Sequence, residues 1–354
     1  MGFALSKGIL SYITPNKWLS IPYGRTLRDN YVNHLYSICD CRNVKVFEAG
    51  NEPIISFFTK DDSLNVNVAR FTSSYKVNSL HLLPLTSVDK DCLGILISDN
   101  IDILLKIKSF SGQLRDFVKV ENPFTTSEAY DLIPLVSDSA NSVNAFRLVN
   151  TGTIDPYICM WGKMNTTYLR TKYTHPVISK DDFKEIFPRR LYQAQSSKIV
   201  ISGMRNFEAF LDDTGKYLAG KSTIVVMDKE EECENWLLFI LAILNSKLIT
   251  FYIKQSYSTL GIGGGINFSK EMVELLPIPP ISKETKCKIE DMASKLLDVV
   301  KSNESDNIDE WKDSFSSNLL GIDILIYELY DLSYDEVLLI DSQVPCSRVE
   351  YDNL

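Results

Sequence analysis

The apolar run "WLLFILAIL", Trp236 to Leu244, most limits what this chain can become. A bilayer span needs roughly 20 apolar residues, and this run stops at Asn245, Ser246 and Lys247. It is apolar all round, so a helix made from it must be enclosed by protein on every side. The chain therefore has to build a core around that helix. Its 354 residues, 45% hydrophobic and 23% charged, supply enough material for two bodies. The opening "MGFALSKGILSYITPNKWL" alternates apolar and polar residues and does not read as a signal peptide. The expectation is a cytoplasmic protein with no membrane partner.

Residues 1–60 read as α/β. "GILSYI" is a short strand stopped by "TPN". Gly24 to Ser37 carries Leu27, Tyr31 and Leu35 at four-residue steps, which predicts an amphipathic helix. "NVKVF" and "PIISFF" read as two more strands around the turn-like "EAGNE". Strand, helix, strand, strand is the closing portion of a sheet domain. Residues 61–108 read as a connecting region, with strand-like "DDSLNVNVARF" and helix-like "DNIDILLKIKSF". Residues 109–354 alternate short β-like runs with turn signals: "FRLVN", "YICMW", "KIVIS" and "STIVVM". The apolar helix and two further helical stretches follow. This second part is expected to be an α+β, β-rich domain with C-terminal helices.

Several chemistries lack material. Seven cysteines form no CxxC pair and three histidines are scattered, which leaves a zinc framework little material. "STLGIGGGINF" follows a helix, not a strand, and lacks Gly-Lys-Ser/Thr. It fits neither a dinucleotide fingerprint nor a P-loop. Gly263, Gly264 and Gly265 suit a tight loop or a main chain close to a ligand such as a DNA backbone. Asp155-Pro156-Tyr157 has one proline fewer than the D/N-P-P-Y/F tetrapeptide of amino-methyltransferases and reads as a turn into a strand.

Charge is more informative. The net charge is −9, yet Trp161 to Lys221 holds eleven Lys/Arg against six Asp/Glu. From Glu284 to the end there are six against seventeen. Screening confines each field to about 8–10 Å, so a local patch decides the partner. In the basic segment Lys163, Arg170, Lys172, Arg189, Arg190 and Arg205 are interleaved with Trp161 and Tyr168. Cations neutralise phosphates, Arg also reads guanine, and aromatics stack on bases. These residues are the candidates for DNA contact. A solvated face with uneven charge is the competing reading.

The order of motifs resembles a family. "GILSYITPNKWLSIPYGRTLRDNY" and "VKVFEAGNEPIISFF" resemble the last third of the catalytic domain of Eco57I/TaqI-like adenine-N6 DNA methyltransferases. "SSKIVISGMRNFEAFLDDTGKYLAGKSTIVV", "LLFILAILNSKLITFYIKQ", "GGGINFSKEMVELLPIPPIS" and "IDILIYELYDLSYDEV" resemble the TaqI-like C-terminal target-recognition domain. The resemblance implies a partial methyltransferase Rossmann-like sheet followed by a specificity domain. It implies double-stranded DNA as partner and a flipped adenine as target. Phe47 resembles the aromatic that stacks on that adenine; a core phenylalanine at a strand end is the alternative. The family's cofactor loop and N-P-P-Y/F tetrapeptide are expected upstream of Gly8, where this sequence has "MGFALSK". The chain is therefore expected to bind no cofactor alone and to be inactive alone. S-adenosylmethionine would belong to the complete enzyme, with an upstream methyltransferase catalytic chain or domain and a nuclease subunit as the candidate partners. The alternatives are an enzyme half that methylates once joined to that chain, and a remnant or protein-interaction module without DNA function.

Overall fold

The computed structural model describes residues 8–47, 52–88, 90–230, 234–257, 266–303, 308–344 and 346–353. Two compact units emerge: 1–108 with 252–266, and 109–251 with 267–354.

In the first unit the chain forms β1 (Ile9–Pro15), α1 (Arg25–Tyr31), β2 (Leu35–Asp40), β3 (Pro53–Thr59), β4 (Asn65–Phe71), β5 (Val77–Pro84) and α2 (Ile101–Lys108). The sheet order is β1-β3-β2-β4-β5. β3 lies antiparallel between β1 and β2, β2 and β4 are parallel, and β4 and β5 are antiparallel. This is a mixed sheet with one parallel pairing among its described strands. Trp18, Leu35, Ile38, Ile54, Val66 and Val68 are part of its core.

Three sequence expectations change here. The helix expected over Gly24 to Ser37 stops at Tyr31, and Leu35 to Asp40 is a strand. Leu27, Tyr31 and Leu35 fit a helical stripe, but Leu35 and Ile38 are fully buried by pairing with β3, so the sheet overrides the local period. "NVKVF" is no strand, because β2 has already ended at the buried Asp40. That carboxylate accepts from the Arg42 backbone (3.1 Å), Arg42 Nε (2.6 Å) and Arg70 Nε (2.9 Å), which locks the turn. Residues 61–108 are not a connection: they supply β4 and β5 to the same sheet. Arg28 fixes α1, its guanidinium donating to the carbonyls of Trp18 (2.7 Å), Ile21 (2.8 Å) and Lys90 (2.6 Å).

In the second unit the strands include β6 (Val118–Glu121), β7 (Ser137–Asp138), β8 (Ala145–Val149), β9 (Thr166–Tyr168), β10 (Thr171–Tyr173), β11 (Pro176–Ser179), β12 (Lys198–Ser202), β13 (Ala209–Asp212), β14 (Tyr217–Ala219) and β15 (Thr223–Asp228). One sheet runs β13-β12-β15-β6, a second β14-β8-β11-β7, and β9 and β10 form a separate hairpin. Helices follow: α3 (Leu237–Asn245), α4 (Lys247–Ser256, whose residues from Tyr252 on belong to the first unit), α5 (Lys283–Ser302), α6 (Ile308–Leu329) and α7 (Tyr334–Ile340). The architecture is α+β. Among the described residues no single helix is long and apolar enough to cross a membrane.

The apolar run is α3, buried from Phe239 to Leu244 and packed on β13, β12, β15 and α5. Each of its Phe, Ile and Leu side chains contributes about 1.5–3 kcal/mol when fully buried. The sequence after it fixes its end. Asn245 donates to the Ala209 carbonyl and accepts from the Ala209 amide, both at 2.9 Å, continuing the edge of β13 as a strand would. The Lys247 amide donates to Asp323 (2.9 Å) and its ammonium meets Asp341 (2.6 Å), which seats the start of α4. In "LLPIPP" the Leu276 carbonyl accepts from the Leu114 amide (2.9 Å) and the Pro277 carbonyl from the Tyr330 hydroxyl (2.7 Å). The motifs that carried the family resemblance are thus joints of the fold.

Burial pushes Asp323 up to about 6, against the bond from the Lys247 amide. The folded state then holds this proton more tightly than the unfolded chain. Its contribution to stability is present below about pH 4 and is lost as pH rises through about 6. Asp323→Asn keeps an acceptor for Lys247 and removes that loss. We expect its melting temperature to vary less with pH than wild type between about pH 4 and 6. Equal pH slopes in the two proteins would contradict the assignment.

Candidate nucleic-acid interface

The fold sorts the basic, aromatic run into groups by what each side chain already holds. Three candidates serve the structure. Tyr168 is buried and its hydroxyl donates to the Ala129 carbonyl (3.1 Å), so no base can reach its ring in this conformation. Trp161 is half-buried and donates to the Pro176 carbonyl (2.9 Å), with the Arg147 guanidinium 4.5 Å above its ring and His175 edge-on. Arg190 grips Glu128 with two bonds, at 3.1 and 2.7 Å. Glu128 also accepts from the Thr125 amide (2.7 Å) at the start of the helix Thr126–Asp131. The Arg190 fork, with these cap bonds behind it, holds that carboxyl down at about 2. A cation bound so well has little left for phosphate.

Four candidates are free. Arg170, Lys172, Arg189 and Arg205 are exposed, and among the described residues none of them has an ion-pair partner. Arg170 lies in the two-residue turn between β9 and β10, and Lys172 lies on β10. Arg189 stands in the turn Pro188–Arg190. Arg205 has φ +71° in the short strand Met204–Arg205. The chain reaches it through Gly203, where a Cβ would sit 2.3 Å from the Ser222 carbonyl oxygen. The Gly203 carbonyl accepts from the Phe268 amide (2.9 Å), and Phe268 meets Phe207 edge-on. Arg205 is therefore placed beside the described end of the glycine-rich stretch. Gly263, Gly264 and Gly265 lie outside the described residues.

Lys163 is also exposed and lines a cavity of about 320 Å³ with Lys216, Thr214, Tyr217 and Val300. Asp212, which also lines it, forms a buried ion pair with Lys198 at 2.7 Å. Burial pulls the Lys198 ammonium down, and Asp212 opposes the shift. Cys159 in the same cavity is pushed up to about 12 by burial, which makes it a poor nucleophile. Asp155 ends the short strand Ile154–Asp155, Pro156 and Tyr157 turn the chain into the strand Ile158–Cys159, and Tyr157 is buried. Lys216 and Arg147 escaped the sequence reading. Arg147 had a signal, a cation between apolar neighbours in "FRLVN"; Lys216 had none beyond its turn, "DDTGKY".

In the first unit Phe47 is 42% exposed, in the turn after β2. It does not line the cavity of about 210 Å³ formed by Tyr12, Trp18, Leu27, Tyr31 and Phe58 with Leu10, Thr14 and Ser56. That lining has no charged side chain. S-adenosylmethionine carries a sulfonium, an ammonium and a carboxylate, and buried charges need partners. The described residues of this cavity do not fit it. Among the described residues no cluster of His, Cys, Asp and Glu could hold a metal ion.

Set against known proteins, residues 148–278 match the TaqI-like C-terminal specificity domain. No curated protein matches the chain. Solved structures similar to it include the type IIL restriction–modification enzyme MmeI in complex with DNA, at 10% identity over 99% of this chain and 50% of that one, with a TM-score of 0.49. The type IIG restriction endonuclease BpuSI is similar at 12% identity over 92% and 48%, with a TM-score of 0.36. A nuclease-deletion mutant of the type ISP enzyme LlaGI is similar at 12% identity over 83% and 35%, with a TM-score of 0.35. The chain spans half or less of the length of these structures. All of the free cations named above fall within 148–278, the segment that matches the TaqI-like C-terminal specificity domain.

Proposed function

We propose that the second unit binds double-stranded DNA and reads its sequence, as the specificity part of a restriction–modification system. One observation carries this reading. Arg170, Lys172, Arg189 and Arg205 all fall within the matched specificity segment, exposed and without ion pairs among the described residues. Unpaired surface cations in a segment of local excess positive charge are what phosphate contact requires. The acidic C-terminal helices do not cancel this, because screening limits each field to about one Debye length.

The finer reading is that the target base is adenine, methylated at N6 by S-adenosylmethionine bound to a separate catalytic part. The first unit supports it in one respect. Among the described strands β1 is a sheet edge, and Ile9, Tyr12 and Ile13 on it are exposed. Such an edge offers unpaired backbone groups to another strand. Phe47, with its ring exposed, is the base-stacking candidate on this reading.

The test is a selection from randomised duplexes at low salt with the whole chain. A short enriched motif is expected. A folded chain that retains duplex but enriches no motif would sink the sequence-reading claim.

A further inference from the structure

The geometry points to Arg170 as a base-reading residue that contacts guanine from the tip of a β-ribbon, whereas Lys172 positions the same ribbon on phosphate. This rests on DNA binding by the second unit. The pairings Thr166 with Tyr173, Thr167 with Lys172 and Tyr168 with Thr171 leave a two-residue turn, Leu169–Arg170. Both residues have positive φ, 43° and 79°. Two-residue hairpin turns of that kind favour Asn-Gly, since a Cβ is strained there. Here the strained positions carry a leucine and an arginine, and strain of this sort persists where the surrounding structure fixes it.

The surroundings do fix it. One face of the ribbon is anchored: Thr166 and Tyr168 are buried, and the Tyr168 hydroxyl is bonded to Ala129. Asn150 Nδ2 donates to the Thr167 carbonyl (3.0 Å), and the Thr174 hydroxyl to Asn165 Oδ1 (2.9 Å). On the other face Thr167 and Lys172 are exposed, and the tip extends beyond them. A two-stranded ribbon fits the major groove, about 12 Å wide. A guanidinium at its tip can give two hydrogen bonds to guanine O6 and N7, which an ammonium cannot reproduce. Lys172, set back along the strand, is a point charge suited to a phosphate.

The experiment compares Arg170→Lys, Arg170→Gly and Lys172→Ala on duplexes drawn from the selection and on non-cognate duplex. Arg170→Lys is expected to lose about tenfold or more of the preference at one G·C pair, with non-cognate affinity and salt slope unchanged. Arg170→Gly should lose the same preference while melting no lower than wild type, because glycine relaxes the turn. Lys172→Ala should weaken cognate and non-cognate duplex by the same factor. Full retention of preference by Arg170→Lys overturns the assignment and leaves DNA binding standing. So does an equal loss on both duplexes, which marks a phosphate contact. A wild-type chain that binds no duplex overturns both.

Discussion

Asp212→Ala is expected to destabilise the second unit more than any other substitution considered for it, by about 3–5 kcal/mol. The carboxylate is buried and accepts from five donors: the Lys198 ammonium (2.7 Å), the amides of Thr214 (3.3 Å), Lys216 (3.1 Å) and Tyr217 (3.0 Å), and the Thr214 hydroxyl (3.1 Å). It closes the turn from β13 to β14. Gly215 makes that turn possible, with φ +63° and the Gln195 carbonyl oxygen 2.1 Å from where a Cβ would stand. Alanine leaves the Lys198 ammonium buried with two backbone carbonyls and no anion. Breaking such a pair costs about 3–5 kcal/mol, against a total stability of about 5–15 kcal/mol. The melting temperature should fall by about 10 °C or more. Lys198→Met leaves the carboxylate four other donors and should cost less than Asp212→Ala. The double substitution should melt above Asp212→Ala, since it removes the stranded charge. An Asp212→Ala protein that melts within a degree or two of wild type would refute this account of the core.

The second large effect concerns binding. Removing Lys172, Arg189 and Arg205 together should weaken duplex binding by on the order of 100-fold at about 0.1 M salt. The three side chains make no ion pair among the described residues, so their loss disturbs no internal partner. Arg190→Ala is the contrast. It frees Glu128 from its bidentate bond and should lower stability without changing the salt dependence.

That contrast shows where sequence reading ends. Composition put Arg189 and Arg190 in one class, as adjacent cations in a basic segment. The partner that separates them, Glu128, lies 62 residues away and comes close through folding alone. Tyr168 was lost to the same blindness: its neighbours are basic, but the hairpin turns its ring into the core. The apolar run at α3 was legible because a helix with no polar face has one possible fate. "GILSYI" and "PIISFF" were legible as strands for a similar reason, since β-branched and aromatic residues suit a pleated, half-buried surface. Leu35 to Asp40 was not. Its leucine completed a helical stripe, and what made it a strand was pairing with β3 and β4.

The measurement that tests the central claim most directly is the slope of log affinity against log salt for duplex DNA. It should be taken for wild type and for Lys172→Ala/Arg189→Ala/Arg205→Ala. Each phosphate contact contributes about 0.9 to the slope, so the triple variant should be shallower by about 3. Equal slopes would mean that these cations do not face DNA, and would contradict the division of the basic segment into structural and DNA-facing side chains.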